Sequence, residues 1–215
     1  MDIETYKLQV DEESSPGWDA IDTALEVVYG NQEPEHFASA IKYMIGGPDP
    51  IDGTSIYDSH NQTHHKHFIS YGMSDLYFAP EKAENEFNGW GFEFTFRLKC
   101  VEGEDRPMWA IGLMNNLARY VFQSGNWFEE FHYIPTNGPI KFDSPTDIVG
   151  LIFIQDPELG TINTPHGKLV FLQMVGITTK ELEKIKQNPT GIEAFIDDMR
   201  ISNPLFITDL DRKDI

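Results

Sequence analysis

One stretch places apolar residues at every second position: Phe92, Phe94, Phe96 and Leu98. The residues that alternate with them are polar: Glu93, Thr95, Arg97 and Lys99. Successive side chains of a strand point to opposite faces of a sheet, so this alternation predicts a strand that buries one face. Because the pattern is long and regular, we expect this strand to lie at the centre of the core.

The next apolar pattern has a different period. Between Pro107 and Ser124, apolar residues recur at three- and four-residue spacings: Ala110, Leu113, Met114, Leu117 and Val121. Such residues line one side of a helix. Gly125 follows as a helix stop, because glycine accepts the left-handed conformation that commonly ends a helix. We therefore expect a helix that packs on the apolar face of the strand.

Strands and helices are predicted along the rest of the chain without a regular alternation. The predicted strands span 40–45, 67–73, 149–154, 168–177 and 205–208, and the predicted helices begin at Pro16, Thr179 and Gly191. The last two starts are predicted from the capping-box spacing of Thr178 with Glu181 and of Thr190 with Glu193. This order favours an α+β fold, a single layered domain with a mixed β-sheet flanked by helices. We expect an N-terminal tail or edge strand over 1–13, the domain over 14–210 and a C-terminal tail over 211–215.

Charge and composition narrow the classes of function. With 16 basic and 35 acidic residues, the net charge is −19, which repels phosphate backbones and attracts cationic partners. We expect no nucleic-acid binding, and no membrane binding because no apolar run approaches the roughly 20 residues of a bilayer span. The single cysteine, Cys100, excludes an internal disulfide, and the N-terminus lacks the features of a secretory signal. A cytoplasmic location is the expectation.

The histidines are the strongest indication of catalytic chemistry. His65 and His67 would point to the same side of an extended segment, as two metal ligands do. No carboxylate or cysteine lies at a sequence spacing that completes the set, and no nucleophile elbow or phosphate-binding loop is present. We therefore expect no catalytic residue, no metal and no cofactor. A metal-dependent hydrolase that uses the His60–His67 segment remains the alternative, and it predicts a pocket that collects His65, His67 or His166.

An irregular segment after the predicted helix is rich in aromatic residues. They are Trp127, Phe128, Phe131 and Tyr133, interrupted by Glu129 and Glu130. Aromatic residues surrounded by charge make good interface anchors, and they also fold back as small satellite cores. The pattern leaves both interpretations open.

Six stretches of the chain resemble, in the same order, the suppressor-of-fused domain. They are 42–50, 67–77, 89–98, 117–124, 164–176 and 205–209. The resemblance implies the α+β fold of the first domain of that family. Animal members are two-domain regulators that hold a Gli transcription-factor peptide in a cleft between the domains. Because the resemblance covers only their first domain, the Gli role is not carried over.

The resemblance also implies candidate contact residues and a partner. Tyr120 matches the family's peptide-contacting tyrosine, and Glu130 is the nearest candidate for the acidic contact residue. With the neighbouring aromatics, the predicted partner-binding set is Tyr120, Trp127, Phe128, Glu130, Phe131 and Tyr133. Stand-alone domains of the family resemble bacterial proteins, some of which are encoded beside polymorphic or contact-dependent toxins and are proposed to act as their immunity proteins. A non-enzymatic protein that neutralises a cationic toxin domain by binding is therefore expected, with the oligomeric state left open.

Overall fold

The computed structural model describes residues 2–100 and 106–213. Within these ranges the α-helices are α1 (Ile3–Gln9), α2 (Pro16–Tyr29), α3 (Met108–Ser124), α4 (Thr179–Gln187) and α5 (Ile192–Ser202). The strands are β1 (Glu35–Ala38), β2 (Gly53–Ser59), β3 (His65–Tyr71), β4 (Phe87–Lys99), β5 (Tyr133–Pro135), β6 (Ile148–Gln155), β7 (Thr161–Thr164) and β8 (Gly167–Thr178).

All eight strands belong to one mixed sheet. Its order is β1-β2-β3-β4-β8-β6-β5, and β7 pairs with β8 beside this path. Strands β4 and β8 run parallel at the centre, and the other named pairs are antiparallel. The predicted α+β fold with a mixed sheet flanked by helices is confirmed.

Helix α3 covers the phenylalanine face of the sheet. Phe94 and Phe96 are fully buried there, together with Met114 and Val121 of the helix. Gly125 takes the left-handed conformation and donates its N–H to the Val121 carbonyl at 2.9 Å, so it ends α3 where the sequence predicts. The strand–helix pair predicted from the two periodicities is therefore confirmed.

The opposite face of β4 is buried as well, which differs from the one-faced strand predicted from the alternation. Glu93, Thr95 and Arg97 are each 0% exposed. Helix α2 packs over one half of this face and helices α4 and α5 over the other half. The polar residues of β4 therefore lie between two apolar clusters. They remain there because each has polar partners, as buried polar groups require.

Glu93 shows how such a residue is accommodated. Its carboxylate accepts hydrogen bonds from the hydroxyls of Ser70 and Ser74, at 2.5 and 2.6 Å. It also accepts the backbone N–H groups of Gly72 and Ser74, each at 2.9 Å. Burial raises the pKa of Glu93, and these donors oppose that rise. The carboxylate thus organises the turn after β3.

Several local predictions are wrong. Residues 3–9 form α1, with Tyr6 fully buried against the body of the domain, instead of a tail or edge strand. Residues 43–45 form a 3-10 turn, because Ile41, Tyr43 and Ile45 are exposed and their alternation does not mark a buried strand face. The predicted strand 205–208 is reduced to one bridge between Leu98 and Thr208.

Of the two capping boxes predicted near the C-terminus, one is confirmed and one is wrong. The capping box predicted at the start of α4 is present, since Thr178 and Glu181 bond each other's backbone N–H groups. Helix α5 is capped by Gly191 without a side-chain bond, so the similar prediction for Thr190 is wrong. In the predicted C-terminal tail, Arg212 bonds Glu181 and donates to the Gly176 carbonyl at 2.7 Å. Residues 214–215 lie outside the described ranges.

No helix within residues 2–100 and 106–213 has the length and apolar character to cross a bilayer.

Candidate functional site

The last turns of α3 present Tyr120 beside the start of an irregular segment. Tyr120 is 47% exposed, and its ring lies 5.8 Å from that of Phe128. The left-handed Gly125 then turns the chain back across the sheet. As a result, the aromatic residues that follow α3 lie next to Tyr120.

Within the segment, two adjacent aromatic residues have opposite environments. Phe128 is 6% exposed and packs on Phe94 and Phe153 of the sheet. Trp127 is 53% exposed, and its indole Nε1 donates a hydrogen bond to Glu129 Oε1 at 2.7 Å. Phe128 therefore anchors the segment, while Trp127 presents much of its ring to solvent.

Phe131 redirects the chain toward β5. Its φ of 71° lies in the left-handed region, which is uncommon for a bulky residue. Two backbone bonds hold the turn: Phe131 N–H donates to the Phe153 carbonyl at 2.8 Å, and Phe153 N–H donates to the His132 carbonyl at 2.9 Å. Such strained residues persist where the surrounding structure determines them, and they concentrate at functional sites.

A cavity of about 590 Å³ opens on one side of Trp127. Its floor is the part of the sheet beyond the end of α3, and Trp127 to Glu130 form one wall. The lining residues on the sheet are Phe87, Gly89, Trp90, Gly91, Phe92, Gln155, Val170 and Leu172. The floor is mainly apolar, and the exposed carboxylates of Glu129 and Glu130 stand at the rim.

Two glycines of β4 shape this cavity. Gly89 and Gly91 have φ values of 57° and 85°, a conformation that side chains disfavour. At this point the pairing of β4 with β8 shifts between Phe87 and Phe92. A Cβ on Gly89 would lie 2.8 Å from the Met73 carbonyl oxygen, so the close approach also requires glycine. The irregularity turns the first residues of β4 out of the regular ladder.

A second, smaller cavity also adjoins Trp127. It measures about 300 Å³ and is lined by Tyr120, Trp127, Phe128, Phe131, His132, Tyr133 and Ile134. Trp127 and Phe128 line both cavities. We call the two cavities together the Trp127 groove.

The Trp127 groove contains all six residues predicted from the sequence to contact a partner. Glu130 lines the first cavity, Tyr120, Phe131 and Tyr133 line the second, and Trp127 and Phe128 line both. The satellite-core interpretation holds for Phe128, which is a core residue, whereas Trp127 is exposed and its role as an interface anchor stays a prediction.

Sequence reasoning missed the sheet side of the groove. The sequence predicts Val170 and Leu172 as strand residues and places Trp90 in a stretch that resembles the family, and the exposure of all three to a cavity depends on where α3 ends. The glycines that flank Trp90 are the signal that could have indicated it. Glycines inside a strand pattern often mark a bulge or a close approach of another chain.

The histidines do not form the pocket that a hydrolase would need. His65 and His67 do point to one side, as predicted, but that side is the buried face of the sheet. His67 Nδ1 lies 2.6 Å from the Tyr29 hydroxyl, and His67 Nε2 lies 3.0 Å from Asp156 Oδ2. His65 Nε2 lies 3.1 Å from Arg97 Nη1.

His166 is also buried and satisfied. Its Nε2 lies 2.7 Å from the Tyr6 hydroxyl, and its Nδ1 donates to the Asp75 carbonyl at 2.8 Å. None of these three histidines lines the Trp127 groove. Their arrangement is that of core residues and gives no support to the hydrolase alternative.

Arg97 and Asp156 form the centre of the buried polar network. Arg97 Nη2 donates to Asp156 Oδ1 at 3.1 Å, and both side chains are fully buried. Burial alone would raise the pKa of Asp156, but His67 and the Arg97 guanidinium hold it well below its usual range. Burial lowers the pKa of His65 and of His67 to about 4, so both are neutral near pH 7.

Comparison with known proteins identifies the fold and the family. The family model described as Suppressor of fused protein (SUFU) matches residues 47–213. The chain belongs to the suppressor-of-fused family. Suppressor of fused homologs of Homo sapiens and Mus musculus are each 39% identical in a comparison 193 residues long, and the match covers 83% of this chain. The resemblance predicted from the sequence is therefore confirmed.

Two solved structures of suppressor-of-fused proteins have the same fold. The chain from the Sufu–Fu complex has a TM-score of 0.83 and 32% identity, over 94% of this chain and 93% of that one. Drosophila Suppressor of Fused has a TM-score of 0.82 and 31% identity, over 95% of this chain and 52% of that one. The chain spans 39% of the length of the human and mouse relatives.

Proposed function

We propose that this chain is a non-enzymatic binding domain that holds a segment of a protein partner in the Trp127 groove. The observation that carries the proposal is the position of Trp127, an exposed aromatic wall shared by two adjoining cavities. Buried aromatic anchors dominate the binding energy of many interfaces. The relative solved as a Sufu–Fu complex shows that a protein of this fold has a protein partner.

The groove favours a partner segment that combines apolar and basic side chains. Its sheet floor carries Phe92, Val170 and Leu172, which suit apolar side chains. Glu129 and Glu130 at the rim suit a lysine or arginine of the partner. The net charge of −19 adds long-range attraction for a cationic protein.

The finer proposal is that the partner is a cationic toxin domain, which the chain neutralises as an immunity protein. Binding would occlude the cationic active surface of such a toxin and requires no chemistry from the chain. Family resemblance and acidity support this role together, since acidity alone is compatible with simple solubility. A location in the cytoplasm belongs to the same proposal.

Co-expression with a candidate toxin domain, chosen from genes that neighbour its own, tests the proposal. The wild-type chain should protect the cells and form a complex with the purified toxin domain. Trp127→Ala should weaken that complex by about 2 kcal/mol, roughly 30-fold in Kd, because it removes the shared wall. Phe142→Ala is the matched control, since Phe142 is an exposed aromatic outside both cavities.

The outcomes distinguish the proposal that the Trp127 groove binds a partner from the proposal that the partner is a toxin. Absence of both complex and protection would reject the toxin as partner. Binding that Trp127→Ala and Phe142→Ala weaken equally would reject the groove as the binding site. Raising the salt concentration should slow association of the wild-type pair, because charge steering is screened.

A further inference from the structure

Three neighbouring strands bring three different metal-ligand types together at one end of the sheet. Asp58 belongs to β2, His64 immediately precedes β3, and Cys100 immediately follows β4. One ligand atom from each of these residues lies within 4.8 Å of the other two. Asp58 and His64 are exposed and Cys100 is half-buried, so an ion from solvent can reach the cluster.

The register of the sheet fixes this arrangement. Asp58 pairs with Lys66 across β2 and β3, and Lys66 pairs with Leu98 across β3 and β4. Cys100 N–H donates to the His64 carbonyl at 3.1 Å, which continues the same ladder by one step. Side chains two residues apart on a strand share a face, and neighbouring strands lie about 4.8 Å apart. The backbone therefore directs all three ligands to one face.

One of the three ligand separations already suits a small tetrahedral ion, and the other two are no longer than 4.8 Å. Bonds of about 2.0 Å to nitrogen and oxygen and 2.3 Å to sulfur imply ligand–ligand distances of roughly 3.3–3.5 Å around zinc. His64 Nε2 lies 3.2 Å from Asp58 Oδ1, which already matches one edge of such a tetrahedron. We propose that Asp58, His64 and Cys100 form a binding site for Zn²⁺ or a chemically similar divalent ion, with the fourth position open to solvent.

Two further residues modulate the site. The His60 ring stacks on the His64 ring, with centroids 4.3 Å apart and planes 11° apart, and so restrains the His64 imidazole. Lys66 Nζ lies 2.8 Å from Asp58 Oδ2 and competes with a metal ion for this carboxylate. Removing the ammonium group should therefore tighten metal binding, which a purely structural role of Asp58 would not produce.

Titration of the chelator-treated protein with Co²⁺ tests the site, because a cobalt–thiolate bond gives an ultraviolet charge-transfer band. The wild-type protein should bind one Co²⁺ with this band, and added Zn²⁺ should remove it. Cys100→Ser should abolish the band. Asp58→Asn and His64→Gln should weaken binding by about tenfold or more, and Lys66→Gln should strengthen it.

His132→Gln is the matched control, because His132 is an exposed histidine outside the cluster. Circular dichroism establishes that each variant keeps its fold. A wild-type protein without the charge-transfer band would overturn the proposal. Equal weakening by His132→Gln and His64→Gln would also overturn it, since binding would then be a general property of surface histidines. The test needs no protein partner, so its result is independent of the proposed binding function.

Discussion

Phe128 and Phe153 stack with their ring centroids 4.3 Å apart and their planes 18° apart. This contact ties the segment after α3 to β6 of the sheet. Because Phe128 is buried, the adjacent Trp127 is held out of the core on a fixed support. One anchored residue therefore lets its neighbour form the wall between two cavities.

Replacement of Phe128 by alanine should be strongly destabilising. The change removes a buried ring and leaves a cavity beside Phe94 and Phe153, which costs about 3–5 kcal/mol. Urea unfolding followed by circular dichroism measures this loss. Phe142→Ala, at a ring that is 88% exposed, should change the free energy of unfolding by less than about 0.5 kcal/mol. Similar unfolding midpoints for the two variants would contradict the assigned burial.

Loss of the Arg97 charge should destabilise the fold, because the Asp156 carboxylate would stay buried without its ion-pair partner. Arg97→Met removes the guanidinium from Asp156, which is fully buried, and breaking such a pair costs about 3–5 kcal/mol. Lys213→Met is the control, because the Lys213–Asp147 pair is largely exposed, and its unfolding midpoint should stay close to that of the wild type. An Arg97→Met variant as stable as the control would show that the network contributes little.

The buried histidines predict a loss of stability on mild acidification. The pKa of His67 is about 4 in the folded chain and 6.5 when unperturbed, so the unfolded state binds more protons between these values. The contribution of neutral His67 to the free energy of unfolding is therefore fully present above about pH 6.5. It decreases as the pH falls toward 4, by about 1.4 kcal/mol per pH unit. The lowered pKa of His65 also makes the free energy of unfolding decrease as the pH falls.

Unfolding free energies at pH 7, 6 and 5 measure that slope. His67→Gln should reduce it, because glutamine does not titrate. Buried Glu93, whose pKa is raised, has the opposite sign, so the comparison between wild type and variant is the informative quantity. An unchanged slope in His67→Gln would mean that His67 does not carry the effect.

Two glycines of the chain should respond oppositely to alanine. Gly89→Ala forces a side chain into a left-handed conformation and against the Met73 carbonyl, which should cost about 1–3 kcal/mol and alter the first cavity. Gly112→Ala, inside α3 with open space at its Cβ, should stabilise the chain by about 0.5–1 kcal/mol. Thermal unfolding of both variants provides the test. Stabilisation by Gly89→Ala would show that the irregular pairing at the start of β4 does not need glycine at this position.

Local patterns were sufficient for the parts of the fold that depend on one segment at a time. The alternation of Phe92 to Leu98 predicts β4, and the spacing from Ala110 to Val121 predicts α3, because side-chain direction follows directly from strand and helix geometry. The same reasoning placed the capping box of α4. It was wrong at 43–45, since a short alternation does not show whether its apolar residues are buried.

The amino-acid pattern predicts the central strand and the helix that covers it, because each depends on residues close together along the chain, and it indicates the family through six separate stretches in the same order. The folded chain alone shows that Glu93 and Arg97 are buried, since periodicity indicates which side of a strand is polar and not what covers it. It also decided which distant residues meet, at the Trp127 groove and at Asp58, His64 and Cys100. Strand register and the end point of α3 bring those residues together, and neither is encoded in the spacing of the residues themselves.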